Sequence, residues 1–192
     1  MCYTKLNTFF LIMKMENLQI LYDAKTIENR NRELAAQIDK YAKDNGISEL
    51  VLLVVLKGAA MFAMDLCKHI QTLHSWEFIR AKSYVGEQSS GRMHSSCVVQ
   101  IFDSVDIKEK DIIIIEDIVD TGLTMTHMLK KLKLDGAKSI RVCTLLDKPA
   151  GRIHEVQVDF VGFTLEGSPF IIGYGLDLDE KLRNVPFIGV KK

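Results

Sequence analysis

The chain has 192 residues, 47% of them hydrophobic and 26% charged, with 25 Lys and Arg balancing 25 Asp and Glu. That is enough apolar material for one domain with a real core, and too much for a disordered chain. Zero net charge excludes a protein built to coat nucleic acid or anionic membrane non-specifically, leaving room only for a local basic site. The four cysteines (Cys2, Cys67, Cys97, Cys143) stand far apart with no CxxC pair. This rules against a disulfide scaffold or a structural zinc site and fits a reducing, cytoplasmic setting.

Residues 1–15 read as an N-terminal extension, with Met13 and Met15 as alternative starts. Its one apolar run, Phe9 to Met13, is shorter than a secretory core, and no segment reaches the roughly 20 apolar residues of a membrane span. From Thr26 the spacing predicts a helix with Ile27, Leu34, Ile38, Tyr41 and Ala42 on one face, ended by Asn45-Gly46. Leu50 to Leu56 is an unbroken apolar run, the pattern of a strand buried on both faces of a parallel sheet. Lys57-Gly58 breaks it, and Phe62, Leu66 and Ile70 restart a helix. The unit repeats with a strand at Ile112–Ile115, a polar turn, and a helix carrying Met125, Met128, Leu129 and Leu132 closed by Gly136. Further strands are expected at Arg141–Leu146 and Phe160–Leu165. Between Ser83 and Gln100 the pattern lapses into a polar, glycine-bearing loop, a lid or a surface excursion. The alternation predicts one α/β domain with a parallel twisted sheet flanked by helices.

In such sheets ligands sit beyond the carboxyl ends of the strands. After Ile115 comes Glu116-Asp117-Ile118-Val119-Asp120-Thr121-Gly122-Leu123-Thr124, three carboxylates and then a Thr-Gly-x-Thr turn opening a helix. The turn suits a phosphate, because helix N-terminal N–H groups point outward and glycine admits close approach. The carboxylates would repel a phosphate and suit vicinal sugar hydroxyls, so a sugar 5-phosphate fits the whole segment. A plain helix cap at Asp120 or Thr121 accounts for only one of these residues. There is no GxxxxGK[ST] motif, and Gly173-x-Gly175 does not open a helix after an early strand, so P-loop and Rossmann sites lack support.

Ile112 to Met125, IIIIEDIVDTGLTM, resembles the phosphoribosyl-pyrophosphate motif of type I phosphoribosyltransferases, in the form found in hypoxanthine(-guanine) phosphoribosyltransferases. Leu56-Lys57-Gly58, Leu146 to Pro149, Asp159 to Phe163 and Gly173 to Asp177 extend the resemblance, in consistent order, over residues 18–192. It implies a core at about 45–150 and a small hood from the N-terminal segment and the chain after about Pro149. It also implies a homodimer or homotetramer, and Mg²⁺-assisted transfer of phosphoribosyl from phosphoribosyl pyrophosphate to a 6-oxopurine base, with no nucleic-acid or membrane partner. By resemblance Glu116 and Asp117 bind ribose hydroxyls, and Asp120, Thr121, Gly122, Leu123 and Thr124 hold the 5′-phosphate, with Asp120 also the general base near purine N7. Lys57 and Gly58 form the pyrophosphate loop, with an unusual cis peptide, and Arg183 is a second pyrophosphate contact. Lys148 donates to purine O6, Phe170 stacks on the base, the Ile171 backbone meets its edge, and Asp177 faces both base and metal. Glu116, Asp117 and Asp177 are the metal-side carboxylates, and Ser83 and Tyr84 start the lid. Periodicity alone places Phe170 equally well in the core, and Lys57 and Arg183 also have a plainer reading as solvated surface cations. Leu178 stands where many relatives have an aromatic residue, and Glu166 to Pro169 also departs from the family pattern, which leaves open the choice among hypoxanthine, guanine and xanthine. Rival readings are a xanthine-preferring enzyme, a non-catalytic nucleotide-binding regulator and an RNA-binding regulator on the same fold.

Overall fold

A computed structural model describes residues 18–87, 93–101, 107–167 and 169–191. In chain order the elements are β1 (Leu18–Tyr22), α1 (Ala24–Asp44), β2 (Glu49–Leu56), α2 (Ala60–Cys67), β3 (Leu73–Glu87), β4 (Met93–Ile101), β5 (Asp111–Val119), α3 (Leu123–Leu134), β6 (Ser139–Asp147), a 3₁₀ turn (Pro149–Gly151), β7 (Phe160–Thr164), β8 (Ile171–Ile172) and β9 (Ile188–Lys191).

The main sheet has the order β4-β3-β2-β5-β6-β7. All its pairings are parallel except β3 with β4. Strand β2 is buried along nearly its whole length because β3 and β5 flank it and helices cover both faces. Its alternation survives as a choice of core: Leu50, Leu52 and Val54 pack with Ile113, Ile115 and the buried faces of α1 and α2. Val51, Leu53 and Val55 pack with Ile112, Ile114 and Met125, Met128 and Leu132 of α3. Each such side chain, fully buried, stabilises the fold by about 1.5–3 kcal/mol before chain entropy is set against it.

Helix α1 starts earlier than Thr26, at Ala24, because Asp23 caps it by accepting from the Thr26 N–H at 2.7 Å. Its Arg30 donates to the carbonyls of Val161 and Gly162, fastening α1 to β7. A second, antiparallel sheet of order β1-β9-β8 joins the start of the described chain to its end. The chain after Pro149 therefore divides, β7 extending the main sheet and β8 and β9 building the small one. Tyr22 stacks on Phe163 at 3.9 Å between the two sheets' segments.

The segment from Ser83 to Gln100 differs from the expected loop. Ser83 and Tyr84 lie in β3, paired with Cys97 and Ser96 of β4 in an antiparallel ribbon. The ribbon is read from its backbone pairing, which no local spacing in the sequence announces. The expected lid tip at residues 88–92 lies outside the described residues, as does the extension at 1–15. Cys67 and Cys143 are buried free thiols, and burial pushes Cys67 up to about 12. No described helix is long and apolar enough to cross a membrane.

Candidate active site

Strand β5 does not stop at Ile115 as the apolar run suggests; pairing with β6 carries it through Glu116 and Asp117 to Val119. Glu116 is buried and hydrogen-bonded to its neighbour, and burial pushes the Asp117 carboxyl above the ordinary carboxylate range. The chain then turns through Asp120 and Thr121 to Gly122, whose φ of 83° puts it in the left-handed region at the head of α3. A Cβ there would collide with the His154 carbonyl oxygen. Glycine as the cap supplies no side-chain acceptor, so neither Asp120 nor Thr121 is an ordinary helix cap. The turn is a cradle of about 110 Å³ lined by Glu116, Asp120, Thr121, Gly122 and Thr124. Helix-terminal N–H groups and the positive end of the α3 dipole favour an anion in such a cradle.

The neighbouring strand β6 delivers Lys148, only 6% exposed, so that its Nζ lies 2.9 Å from Oδ2 of Asp120. Lys148 also donates its backbone N–H to the Val119 carbonyl. Behind the turn stands Arg152, which sequence reasoning missed. Its guanidinium donates to the carbonyls of Val119, Asp120 and Val156 and pairs with the Asp147 carboxylate. The N–H groups of Ile153 and His154 both donate to the Thr121 carbonyl. The cradle is thus braced from one side by a single segment, residues 148–156.

A second group gathers across the mouth of the sheet. The loop after β2 contains the expected cis peptide, at Leu56–Lys57. Gly58 sits against Asp117 so closely that a Cβ would collide with Oδ2 of the carboxylate. Its carbonyl in turn lies where a Cβ on Gly175 would be. Lys57 is exposed and pairs with Glu180 at 2.7 Å, which holds the Glu180 carboxyl below its usual range. Arg183, partly buried, reaches Asp177 at 2.7 Å, Glu180 at 3.4 Å and the Gly175 carbonyl at 2.7 Å. Lys57 and Arg183, read alike as surface cations or anion ligands, therefore converge on one carboxylate, Glu180, which sequence reasoning also missed.

Phe170 and Ile171 enter the small sheet differently. Phe170 is 55% exposed, which overturns its reading as a core aromatic, while Ile171 is buried in β8 and paired with Val190. The structure thus brings Glu116, Asp117, Asp120 to Thr124 and Lys148 into one group. Lys57, Gly58, Asp177 and Arg183 form another, and Gly58 and Asp117 are the contact between them. Arg152 and Glu180 carried no motif a sequence could show, being single charged residues that combine near partners, Asp147 and Arg183, with distant ones, the Asp120 carbonyl and Lys57.

The chain is similar to known proteins along most of its length. The model of the phosphoribosyl transferase domain family matches residues 17–181. A hypoxanthine phosphoribosyltransferase of Salmonella typhimurium is 38% identical over 172 residues, 90% of this chain and 94% of that one. A hypoxanthine-guanine phosphoribosyltransferase of Bacillus subtilis is 38% identical over 183 residues, 94% and 97% of the two chains. The crystal structure of a hypoxanthine phosphoribosyltransferase from Staphylococcus aureus superposes with a TM-score of 0.79 at 36% identity, covering 91% of each chain.

Proposed function

The chain belongs to the phosphoribosyl transferase family, and on that premise we propose that it transfers the 5-phosphoribosyl group of phosphoribosyl pyrophosphate to N9 of hypoxanthine and of guanine, releasing the 5′-mononucleotide and pyrophosphate in purine salvage. The observation that carries the reading is the Asp120–Lys148 pair at the foot of the phosphate cradle. Purine N7 and O6 are neighbours on one edge of a 6-oxopurine. A carboxylate and an ammonium 2.9 Å apart present one acceptor and one donor to that edge. Adenine, which carries a 6-amino donor, would leave the buried Lys148 facing the wrong group.

The roles follow from position. The N–H groups of the Asp120–Thr124 cradle take the 5′-phosphate, and Glu116 and Asp117 accept from the ribose hydroxyls. The Lys57–Gly58 loop and Arg183 receive the pyrophosphate, exchanging their pairing with Glu180 for the leaving group. The C1′–O bond to pyrophosphate breaks as the N9–C1′ bond forms, through a transition state with oxocarbenium character. The purine proton becomes more acidic as that bond forms and passes to the Asp120 carboxylate. Phe170, exposed beside β8, stacks on the base, and the Ile171 backbone and Asp177 meet its edge; the exposure of the Phe170 ring supports this.

The donors also fit Mg²⁺ held jointly with substrate. Among the described residues no three acidic, His or Cys side chains cluster closely enough to hold a metal alone. Mg²⁺ sites are commonly completed by substrate oxygens and water around one or two carboxylates. Glu116 and Asp117 supply that pair, two adjacent carboxylates whose charge a cation would offset, and Asp177 stands ready on the pyrophosphate side. When bound, the ion offsets negative charge on the pyrophosphate as it leaves. The exposed apolar Met61 and Met64 on α2 support a homodimer or homotetramer, and the free buried thiols support a cytoplasmic setting.

Initial rates with phosphoribosyl pyrophosphate, Mg²⁺ and each of hypoxanthine, guanine, xanthine and adenine test the proposal. Turnover is expected with hypoxanthine and guanine and not with adenine; turnover with adenine alone overturns it. Asp120→Asn keeps the shape and the Lys148 contact but removes the base. Its kcat is expected to fall by about 10²–10⁴-fold with the KM for phosphoribosyl pyrophosphate little changed.

A further inference from the structure

We infer that Tyr174 is a positioning residue for the pyrophosphate loop, its hydroxyl fixing, through Asn31 and Asp65, the turn on which Gly58 and Arg183 both rest. The inference rests on the reading of Lys57–Gly58 as that loop. Tyr174 is 4% exposed and sits at φ 49° between Gly173 at 93° and Gly175 at 100°, three successive residues in the left-handed region. A bulky side chain rarely adopts that conformation. The main chain of the turn is held by the Tyr174 N–H donating to the Val185 carbonyl and the Gly175 N–H donating to the Arg183 carbonyl, each at 2.8 Å.

What the tyrosine adds is its far end. The hydroxyl accepts from Nδ2 of Asn31 on α1 and donates to Oδ2 of Asp65 on α2, both at 2.9 Å. Burial pushes the hydroxyl pKa up, so it remains a donor. Asn31 is 1% exposed, and its amide oxygen has no hydrogen-bond partner among the described residues. A buried amide needs a partner, and among the described residues the Asn31 side chain finds it in the Tyr174 hydroxyl.

The turn so anchored has no slack toward the site. The Gly58 carbonyl occupies the space of a missing Cβ on Gly175, and the Asp117 carboxylate occupies that of a missing Cβ on Gly58. Gly58 is clamped between the two. The same turn offers the Gly175 carbonyl to Arg183 at 2.7 Å. Both proposed pyrophosphate contacts are therefore registered against a turn whose height is set by hydrogen bonds on its hidden side. Packed cores transmit such shifts because they compress little.

The test is steady-state kinetics of the full chain carrying Tyr174→Phe, which keeps the ring and removes the hydroxyl. Losing the two bonds is expected to raise the KM for phosphoribosyl pyrophosphate and the inhibition constant of pyrophosphate about five- to tenfold. The KM for hypoxanthine should stay within about twofold, a split that a general loss of folding does not produce. Asp65→Ala, at the half-exposed end of the triad, should give the same selective change. Asp65→Asn, which keeps an acceptor, should restore both constants to within about twofold of wild type. Lys57→Ala serves as the check on the underlying reading and should raise both constants. If Lys57→Ala raises them while Tyr174→Phe and Asp65→Ala do not, the role of Tyr174 is overturned and the loop stands. If Lys57→Ala leaves them unchanged, the pyrophosphate reading falls and takes this inference with it. An equal rise in the KM for both substrates in Tyr174→Phe overturns the positioning role.

Discussion

Gly58 is the residue on which the two halves of the site meet, and its lack of a side chain is a steric requirement. In Gly58→Ala the new Cβ runs into the Asp117 carboxylate, which is the end of a side chain and can swing aside, so the fold should survive. The carboxylate is then moved from its proposed place against the ribose, and a displacement of about 1 Å costs on the order of 10²-fold in rate. Gly58→Ala should therefore lose about that much kcat/KM, with a melting temperature within a few degrees of wild type. Wild-type activity in this variant would dissolve the proposed contact between ribose and pyrophosphate groups. Single residues were legible in the sequence where they stood in a run. Glu116 to Thr124 declares itself because five oxygen-bearing side chains and a glycine fall within nine positions. Tyr174, Arg152 and Glu180 each have at least one partner far along the chain, and no spacing announces a lone tyrosine, arginine or glutamate.

The elements that bear the site were legible for a related reason. Strands β2 and β5 are buried on both faces, so their apolar runs have no reading other than a buried segment, and a glycine marks the end of α3. The ribbon β3–β4 and the short strands β1, β8 and β9 are fixed by backbone pairing with distant partners, which leaves little periodicity to read. The end of β5 was misplaced because polarity at Glu116 and Asp117 looks like a turn, although the strand continues by pairing with β6. The turn that does follow is an element held from outside. Arg152 spans three carbonyls and a carboxylate, a reach that a planar guanidinium has and a lysine ammonium lacks. The Val119 carbonyl keeps the Lys148 N–H, but Arg152→Lys should leave at least one of the other acceptors without a donor and lower the unfolding free energy by about 1–3 kcal/mol. Because the Asp120 carbonyl is among them, the KM for phosphoribosyl pyrophosphate should rise about tenfold as well. Denaturant unfolding and substrate titration read the two effects separately; a variant that keeps both values removes Arg152 from the support of the cradle.

Across the whole molecule the two ends of the sheet divide the work. The carboxyl ends of β2, β5 and β6 hold a dense set of buried and half-buried charges, the proposed ligand-binding groups, an arrangement that commonly costs stability. The amino ends hold pairs that act only on the fold. At the start of β5, Asp111 accepts from Nζ of Lys138 at 2.7 Å and from Oγ of Ser139 at 2.6 Å, tying β5 to the start of β6. Burial alone would raise its carboxyl pKa, but these hydrogen bonds outweigh it and hold the group below the ordinary range. A carboxyl with a lower pKa in the folded than in the unfolded chain adds stability above the unfolded value, near 3.9, and that stability is lost as pH falls through the folded value. Asp111→Asn should therefore melt lower than wild type at pH 7, by about 2–4 °C if on the order of 1 kcal/mol is lost. The gap should narrow as pH is lowered from about 5 through the unfolded value, as the wild-type carboxyl itself takes up its proton. Lys138 is exposed, so most of the effect should come through Ser139, and Ser139→Ala should reproduce more of it than Lys138→Ala. Turnover at neutral pH should remain within about twofold in all three variants, since the chemistry lies at the opposite end of the strands. A gap in melting temperature that persists unchanged down to pH 2 would show that the Asp111 carboxylate contributes by packing rather than by charge.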